Sequence, residues 1–237
     1  ESVESARKFL PENSQYWQSL NGTWKFHWAP NPDERPADFF TPGYDASAWD
    51  DLAVPSSWNI AGIQKDGTQK YGTPIYVNQP VIFQHRVAVG DWKGGVMRTP
   101  PTHWTTYNLR NEVGSYLRTF EVPASWDGRE VFITFDGVDS FFYLWINGHY
   151  VGFSKNSRNA AEFNITQYLQ EGENTVAVEV YRSSDGSFLE AQDMFRLPGI
   201  FRTVALHSRP QVRIRDLVVK PDLDDNYRDG MLNITAE

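Results

Sequence analysis

Phe141-Phe142-Tyr143-Leu144-Trp145-Ile146, then Asn147-Gly148, then His149-Tyr150-Val151-Gly152-Phe153, is the run whose reading decides the fold. Two blocks rich in aromatic and β-branched residues flank an Asn-Gly pair, and Asn-Gly supplies the positive φ values of a two-residue type I′ turn. The spacing predicts a β-hairpin. Outward from it, large apolar residues alternate with polar ones in residues 21–28, where Trp24, Phe26 and Trp28 interleave with Lys25 and His27. Residues 114–122, 130–135, 175–181 and 202–207 repeat this period of two, the pattern of half-buried strands. Short helical turns are expected at 165–169, closed by Gly172, and at 45–49. Many strands at short spacing, few helices and no βαβ alternation predict an all-β fold, a two-sheet sandwich of jelly-roll type.

Residues 71–113 interrupt the pattern. Gly94-Gly95 and Pro100-Pro101 punctuate a long polar and aromatic stretch, which is expected to leave the sandwich. After Ser208-Arg209-Pro210, residues 211–219 read as a new strand, and 231–237 as another that stops without a turn or cap. Two strands alone are marginal in water, so the reading divides the chain into 1–209, one sandwich domain, and 210–237, the start of a second β domain. A first residue that is not Met, with no signal-like apolar region after it, adds the expectation of a piece cut from a longer protein.

At 237 residues the chain holds one large all-β domain plus a fragment, and has no room for a (β/α)8 barrel of about 250 residues as well. A net charge of −8, from 22 Lys and Arg against 30 Asp and Glu, argues against nucleic acid or an anionic membrane as partner and suits a neutral ligand. The absence of cysteine removes disulfides, a thiolate nucleophile and Cys-based zinc sites, and leaves the compartment open. The five histidines show no H-x-x-x-H or H-E-x-x-H spacing, no G-x-S-x-G elbow is present, and no run of about 18 apolar residues would span a membrane. Aromatic residues make up 15% of the chain; most are expected in the core, a few as platforms for sugar rings.

The chemistry concentrates in Ser184-Asp185-Gly186-Ser187-Phe188-Leu189-Glu190-Ala191-Gln192-Asp193-Met194-Phe195-Arg196, followed by Gly199-Ile200-Phe201-Arg202. Three carboxylates, two arginines, an amide and three aromatics make it too polar for a core strand and too aromatic for an ordinary solvated loop. That mixture suits a carbohydrate-handling surface. Glycoside hydrolysis uses two carboxyl groups flanking the scissile bond. Glu190 and Asp193 diverge if the segment is extended, because residues three apart lie on opposite faces of a strand. Binding rather than a catalytic pair is therefore expected.

The segment resembles the signature that closes the N-terminal domain of the β-galactosidases of glycoside hydrolase family 2, S-D-G-S-[FY]-L-E-x-Q-D-M-[WF]-R-x-x-G-I-F-R. The resemblance covers nearly the whole chain. Leu20-Asn21-Gly22-Thr23-Trp24-Lys25-Phe26 is similar to the family's opening strand, Val54-Pro55-Ser56-Ser57-Trp58 to its V-P-[SG]-x-W turn, and Pro74-Ile75-Tyr76-Val77-Asn78 to its P-I-Y-x-N element. Phe135-Asp136-Gly137-Val138 with Trp145-Ile146-Asn147-Gly148 matches F-D-G-V…[LW]-x-x-N-G, a turn signal that specifies fold. β-Glucuronidases of the family share the opening strand and the Asn-Gly hairpin but lack the S-D-G-S-x-L-E-x-Q-D-M run.

The resemblance implies a jelly-roll, galactose-binding-like sandwich followed by the first strands of an immunoglobulin-like domain. It implies a parent that hydrolyses terminal β-galactosides with retention, using two glutamates on a barrel outside this chain, so that the chain alone is inactive and contains no catalytic residue. Asn78 and Asp193 would be lent to the galactose subsite, Asp193 directly or through a bound Na+, with Glu190, Gln192, Arg196 and Arg202 as supports behind them. No cofactor is expected within the chain beyond that Na+; Mg2+ is allowed for in the barrel. The implied partners are a β-galactoside substrate, the downstream domains of the same chain, and further copies in a homo-oligomer. Trp58 and Tyr76 are expected to pack in the core rather than stack on sugar. Residues 87–110, with Trp92 and Trp104, are enlarged relative to the family's short approach to the G-S-Y-x-R-T-F strand, which would reshape the mouth of the active site. Two other readings remain: an autonomous carbohydrate-binding module, and a structural scaffold for oligomerisation.

Overall fold

Asn147 and Gly148 stand at φ of 51° and 81°, the paired left-handed geometry of a type I′ turn, and join two antiparallel strands as the spacing predicts. The computed structural model describes residues 2–8, 10–74, 111–190 and 194–237. In chain order the strands within them are β1 (Trp17–Ser19), β2 (Gly22–Ala29), β3 (Asp50–Val54), β4 (Val113–Glu121), β5 (Glu130–Phe135), β6 (Val138–Asp139) and β7 (Phe141–Ile146). They continue with β8 (His149–Ser154), β9 (Ala161–Asn164), β10 (Glu173–Tyr181), β11 (Gly199–Ile200), β12 (Val204–Arg209), β13 (Leu217–Leu223) and β14 (Gly230–Ala236).

Ten of these strands form two antiparallel sheets, β3-β2-β4-β10-β7-β8 and β1-β12-β5-β9. Because strand side chains alternate between faces, each sheet turns one apolar set inward. Trp24, Phe26, Tyr116, Leu144, Ile146, Val176, Val178 and Val180 from the larger sheet meet Val131, Ile133, Phe135, Val204 and Leu206 from the smaller in one core cluster. The expected all-β sandwich is present. Many large rings do fill the core, among them Trp24, Trp58, Trp126, Tyr116 and Phe135. Others form a layer outside the larger sheet, where Phe40 stacks on Trp145 at 4.7 Å and Tyr143 contacts Trp145, Tyr150 and Phe153.

The hairpin turn is also locked from the side. Asn147 Nδ2 donates to Tyr168 O and to Asn174 Oδ1, and Asn147 Oδ1 accepts from Thr175 N. Fully buried Asn174 in turn donates to Gln170 O and Gly172 O. The helical turn before it spans Thr166–Tyr168 and ends where Leu169 becomes extended. Gly172, at φ 80°, thus serves the bend into β10 rather than capping that turn. Near 45–49 no helix forms, because Asp45 Oδ1 accepts from Ser47 N in a tight side-chain turn.

Two further pieces position the functional segment. Val138–Asp139 is more than a turn: it pairs with Gly199–Ile200. Ser56 N donates to Ile200 O and Trp58 N to Pro198 O, so the Val-Pro-Ser-Ser-Trp turn clamps the chain just beyond the functional segment. Gly199 sits at φ 129° with room for no side chain, since a β-carbon there would lie 2.8 Å from Ser56 O. At the other end of the chain, the strand expected from 211 begins only at Leu217. Residues before it are drawn to β5 and the turn ahead of it instead, through Arg213 to the Glu130 carboxylate and Gln211 Nε2 to Gly128 O.

Asn147→Ala removes three hydrogen bonds and a residue that tolerates positive φ, and is expected to cost roughly 3 kcal/mol of stability. Asn147→Gly keeps the turn geometry and should cost less. Urea unfolding of both variants checks this; equal losses would mean that the side-chain network, not the turn conformation, holds the hairpin.

Candidate functional site

Glu112 immediately precedes β4 and Arg182 immediately follows β10, and these two strands pair up to Val113 opposite Tyr181. The pairing continues one step beyond the sheet. Arg182 N donates to Glu112 O at 3.0 Å, while Asn111 and Ser183 exchange two hydrogen bonds of 2.8 Å. The side chains of the same two residues form an ion pair, Arg182 to Glu112 Oε1 at 2.8 Å, with exposures of only 3% and 0%. An ion pair so deep is tolerable only when its other polar atoms are also satisfied. Arg182 also donates to Thr73 O, and Glu112 Oε2 accepts from Trp58 Nε1 and Asn59 Nδ2. Gly72, at φ 66°, is required beside the pair, because a β-carbon there would lie 2.3 Å from Glu112 Oε1.

From Arg182 the chain enters the functional segment. Ser184 and Ser187 cap a short 3-10 turn, Asp185–Phe188, reciprocally. Ser187 Oγ meets Ser140 Oγ at 3.4 Å. Glu190 accepts from the hydroxyl and the backbone N–H of buried Ser157, at 2.5 and 3.3 Å. The next residue, Arg158, donates to Asp139 Oδ2 at 2.9 Å and to Phe195 O. Phe201 lies against two guanidinium groups, Arg158 and Arg202, whose centres are 5.3 and 5.1 Å from its ring. Arg202 then donates to Arg158 O and Asp136 O.

The electrostatics of this end of the sandwich are uneven. Burial pushes Asp139 up to about 6, helped by the nearby Glu190 carboxylate and opposed by Arg158, Arg182 and Arg196. Arg196 Nε and one terminal nitrogen are buried with no hydrogen-bond partner among the described residues. Desolvation holds that guanidinium below its ordinary value, although Asp139 acts the other way.

Residues 17–210 match the family described as glycosyl hydrolases family 2, sugar binding domain. The chain belongs to glycosyl hydrolase family 2. It is 46% identical, over its whole length, to a protein named beta-galactosidase from Priestia megaterium, of which it spans 21%. It is 38% identical to the beta-galactosidase large subunit of Lactobacillus helveticus, with 96% of this chain matching 35% of that one. Among solved structures, an uncultured Clostridium beta-glucuronidase aligns with TM-score 0.63 at 22% identity, over 96% of this chain and 35% of the other. A beta-glycosidase from Bacteroides vulgatus aligns with TM-score 0.60 at 23% identity, over 93% of this chain and 24% of its own. At such identities these likenesses carry the fold alone.

Of the residues singled out in the sequence, Asn78, Gln192, Asp193 and Tyr76 lie outside the described residues, as does the stretch 87–110. Glu190, Arg196 and Arg202 gather at one end of the sandwich, Glu190 and Arg202 with the bonds given above and Arg196 beside Asp139. Trp58 is wholly buried against Phe26 and serves the core. The sequence reading missed Glu112, Asp139, Arg158 and Arg182. Two signals were available: a charged residue abutting each end of the apolar β4 and β10 runs, and a second aspartate in Asp136-Gly137-Val138-Asp139 where a turn needs only one.

Asp139 also sets a pH dependence. Its native pKa lies above the unfolded value, so between the usual carboxylate range and about pH 6 the native state holds a proton that the unfolded chain has released. Stability therefore falls as pH rises through that window, by about 3 kcal/mol at most. Asp139→Asn keeps an acceptor for Arg158 and removes the penalty. Its stability relative to the wild type should rise from pH 4 to pH 7 in chemical denaturation, whereas parallel profiles would place the titration elsewhere.

Proposed function

We propose that this chain is the N-terminal sugar-binding domain of a retaining β-galactosidase, lending Asn78 and Asp193 to a galactose subsite completed by a barrel further along the same polypeptide. The observation that carries the reading is the intact Ser184 to Arg202 signature, whose described residues are fastened on both sides, to the buried Glu112 and Arg182 pair at its start and to the Val-Pro-Ser-Ser-Trp turn at its end. The names of the sequence relatives support the same choice. The boundary falls after 209. In support, the family match ends at 210, and Leu217, Val219, Leu232 and Ile234 of the β13 and β14 hairpin are exposed as the first strands of an incomplete second domain would be.

In this reading the domain positions polar groups and the barrel supplies the acid/base and nucleophile. A carboxylate at Asp193 accepts from sugar hydroxyls or, as a hard oxygen ligand, holds a Na+ that a hydroxyl also ligates. Glu190, Gln192, Arg196 and Arg202 keep that loop in place. An autonomous module would instead bind galactose tightly without the barrel, and a scaffold would be indifferent to Asp193.

Asp193→Asn in the full-length parent keeps size and removes charge. It should lower kcat/KM on an aryl β-galactoside by tenfold or more, about 1.4 kcal/mol, and blunt any Na+ dependence while the variant stays folded. Normal kinetics in the folded variant would leave Asp193 as an ion-pair strut. The 237-residue chain alone should show neither turnover nor measurable heat with galactose, because two hydrogen-bonding groups at about 0.5–1.5 kcal/mol each cannot hold a well-hydrated monosaccharide. Micromolar binding of galactose would favour the module.

A further inference from the structure

Across the outer face of the four-stranded sheet lies a groove of about 810 Å3, within the size range of small-ligand sites. Strand pairing builds its floor. Ser19, Ala205, Thr134 and Glu162 fall in one cross-strand row, and Trp17 stands opposite His207 in the next outward-facing row. The half-buried Trp17 ring makes no ring contact among the described residues, so it offers the groove an unclaimed apolar surface.

The charges around the floor select the ligand. Both guanidinium groups are engaged: Arg209 binds Glu162 through two bonds of 3.0 and 2.7 Å, and Arg129 bonds to Ser208 while lying 3.8 Å over the Tyr16 ring. The Asp136 carboxylate has no partner among the described residues. His207 lies 3.3 Å from the Thr134 hydroxyl through Nδ1, its buried Nε2 faces the Glu162 carboxylate at 3.0 Å, and its ring stacks on Phe132, so the imidazole is held by the protein itself. Burial and Arg209 hold His207 below its ordinary pKa, although the Glu162 carboxylate acts the other way. What remains open among the described lining residues is two acceptor carboxylates, Glu12 and Asp136, the remaining lone pair of the Thr134 hydroxyl, and an indole. That set fits neutral polyols and repels uronates and phosphates.

We propose that this groove binds a neutral oligosaccharide, with one pyranose ring against Trp17 and hydroxyl groups on Asp136, Glu12 and Thr134. The site goes beyond the galactose subsite proposed above and uses none of its residues. Several rings are needed, because each hydrogen bond contributes only about 0.5–1.5 kcal/mol net.

Calorimetry of the 237-residue chain with a neutral β-linked galactotetraose and with tetragalacturonate tests the proposal. The neutral tetramer should bind with a Kd of about 1 mM or tighter, and the acidic one should not. Trp17→Ala should weaken binding tenfold or more, and Asp136→Ala, a change at an exposed residue, by severalfold with an unchanged Tm. No binding of the neutral tetramer, equal binding of the acidic one, or wild-type affinity in Asp136→Ala and a folded Trp17→Ala would overturn it. Binding lost in Asp193→Asn but kept in Trp17→Ala would overturn it too, by assigning the sugar to the subsite. A negative result here leaves the kinetic test at Asp193 standing.

Discussion

The buried ion pair between Glu112 and Arg182 is the constraint on which the functional end of the molecule depends. Desolvating two charges is costly, and the cost is offset here because nearly every donor and acceptor around the pair is used: Thr73 O, Trp58 Nε1, Asn59 Nδ2 and the Glu112 backbone carbonyl. Losing one partner would leave the other charge uncompensated, a change that typically costs about 3–5 kcal/mol. Its geometric effect is as large. One pair joins residues 72–73, residues 111–112 and the start of the functional loop at 182–183. Those three pieces are far apart in sequence and share one anchor.

Beyond that anchor the loop is held by short polar contacts rather than by regular structure. Ser157 grips Glu190, Ser140 meets Ser187, and Arg158 ties Asp139 to the Phe195 carbonyl. A sandwich can present such a loop rigidly because its strands end in fixed positions, and loops on rigid scaffolds are where binding groups are commonly carried. The same crowding raises the Asp139 pKa.

The two outer faces of the sandwich differ for a physical reason. Outside the larger sheet, rings pack on rings, as Phe40 on Trp145, and close the surface. Outside the smaller sheet, bidentate and backbone-bonded arginines stand around the Trp17 indole, which makes no ring contact among the described residues, and a groove stays open. Closed aromatic layers suit packing, whereas an open floor with mixed donors and acceptors suits a hydrated ligand.

Local sequence determined the elements whose information is local. The Asn147-Gly148 turn, the period-2 strands and the aromatic core follow from residue type and spacing, because backbone sterics and burial read only near neighbours. The signature from Ser184 onward likewise marked the family and the surface. Tertiary structure alone decided the rest. The pairing of Val138–Asp139 with Gly199–Ile200 turned an apparent turn into part of the site, and Arg213 delayed the next strand by reaching back to Glu130. No window of sequence shows that Glu112 and Arg182, 70 positions apart, share a desolvated cavity. Their meeting is set by the β4 and β10 register, and register is a property of the folded sheet.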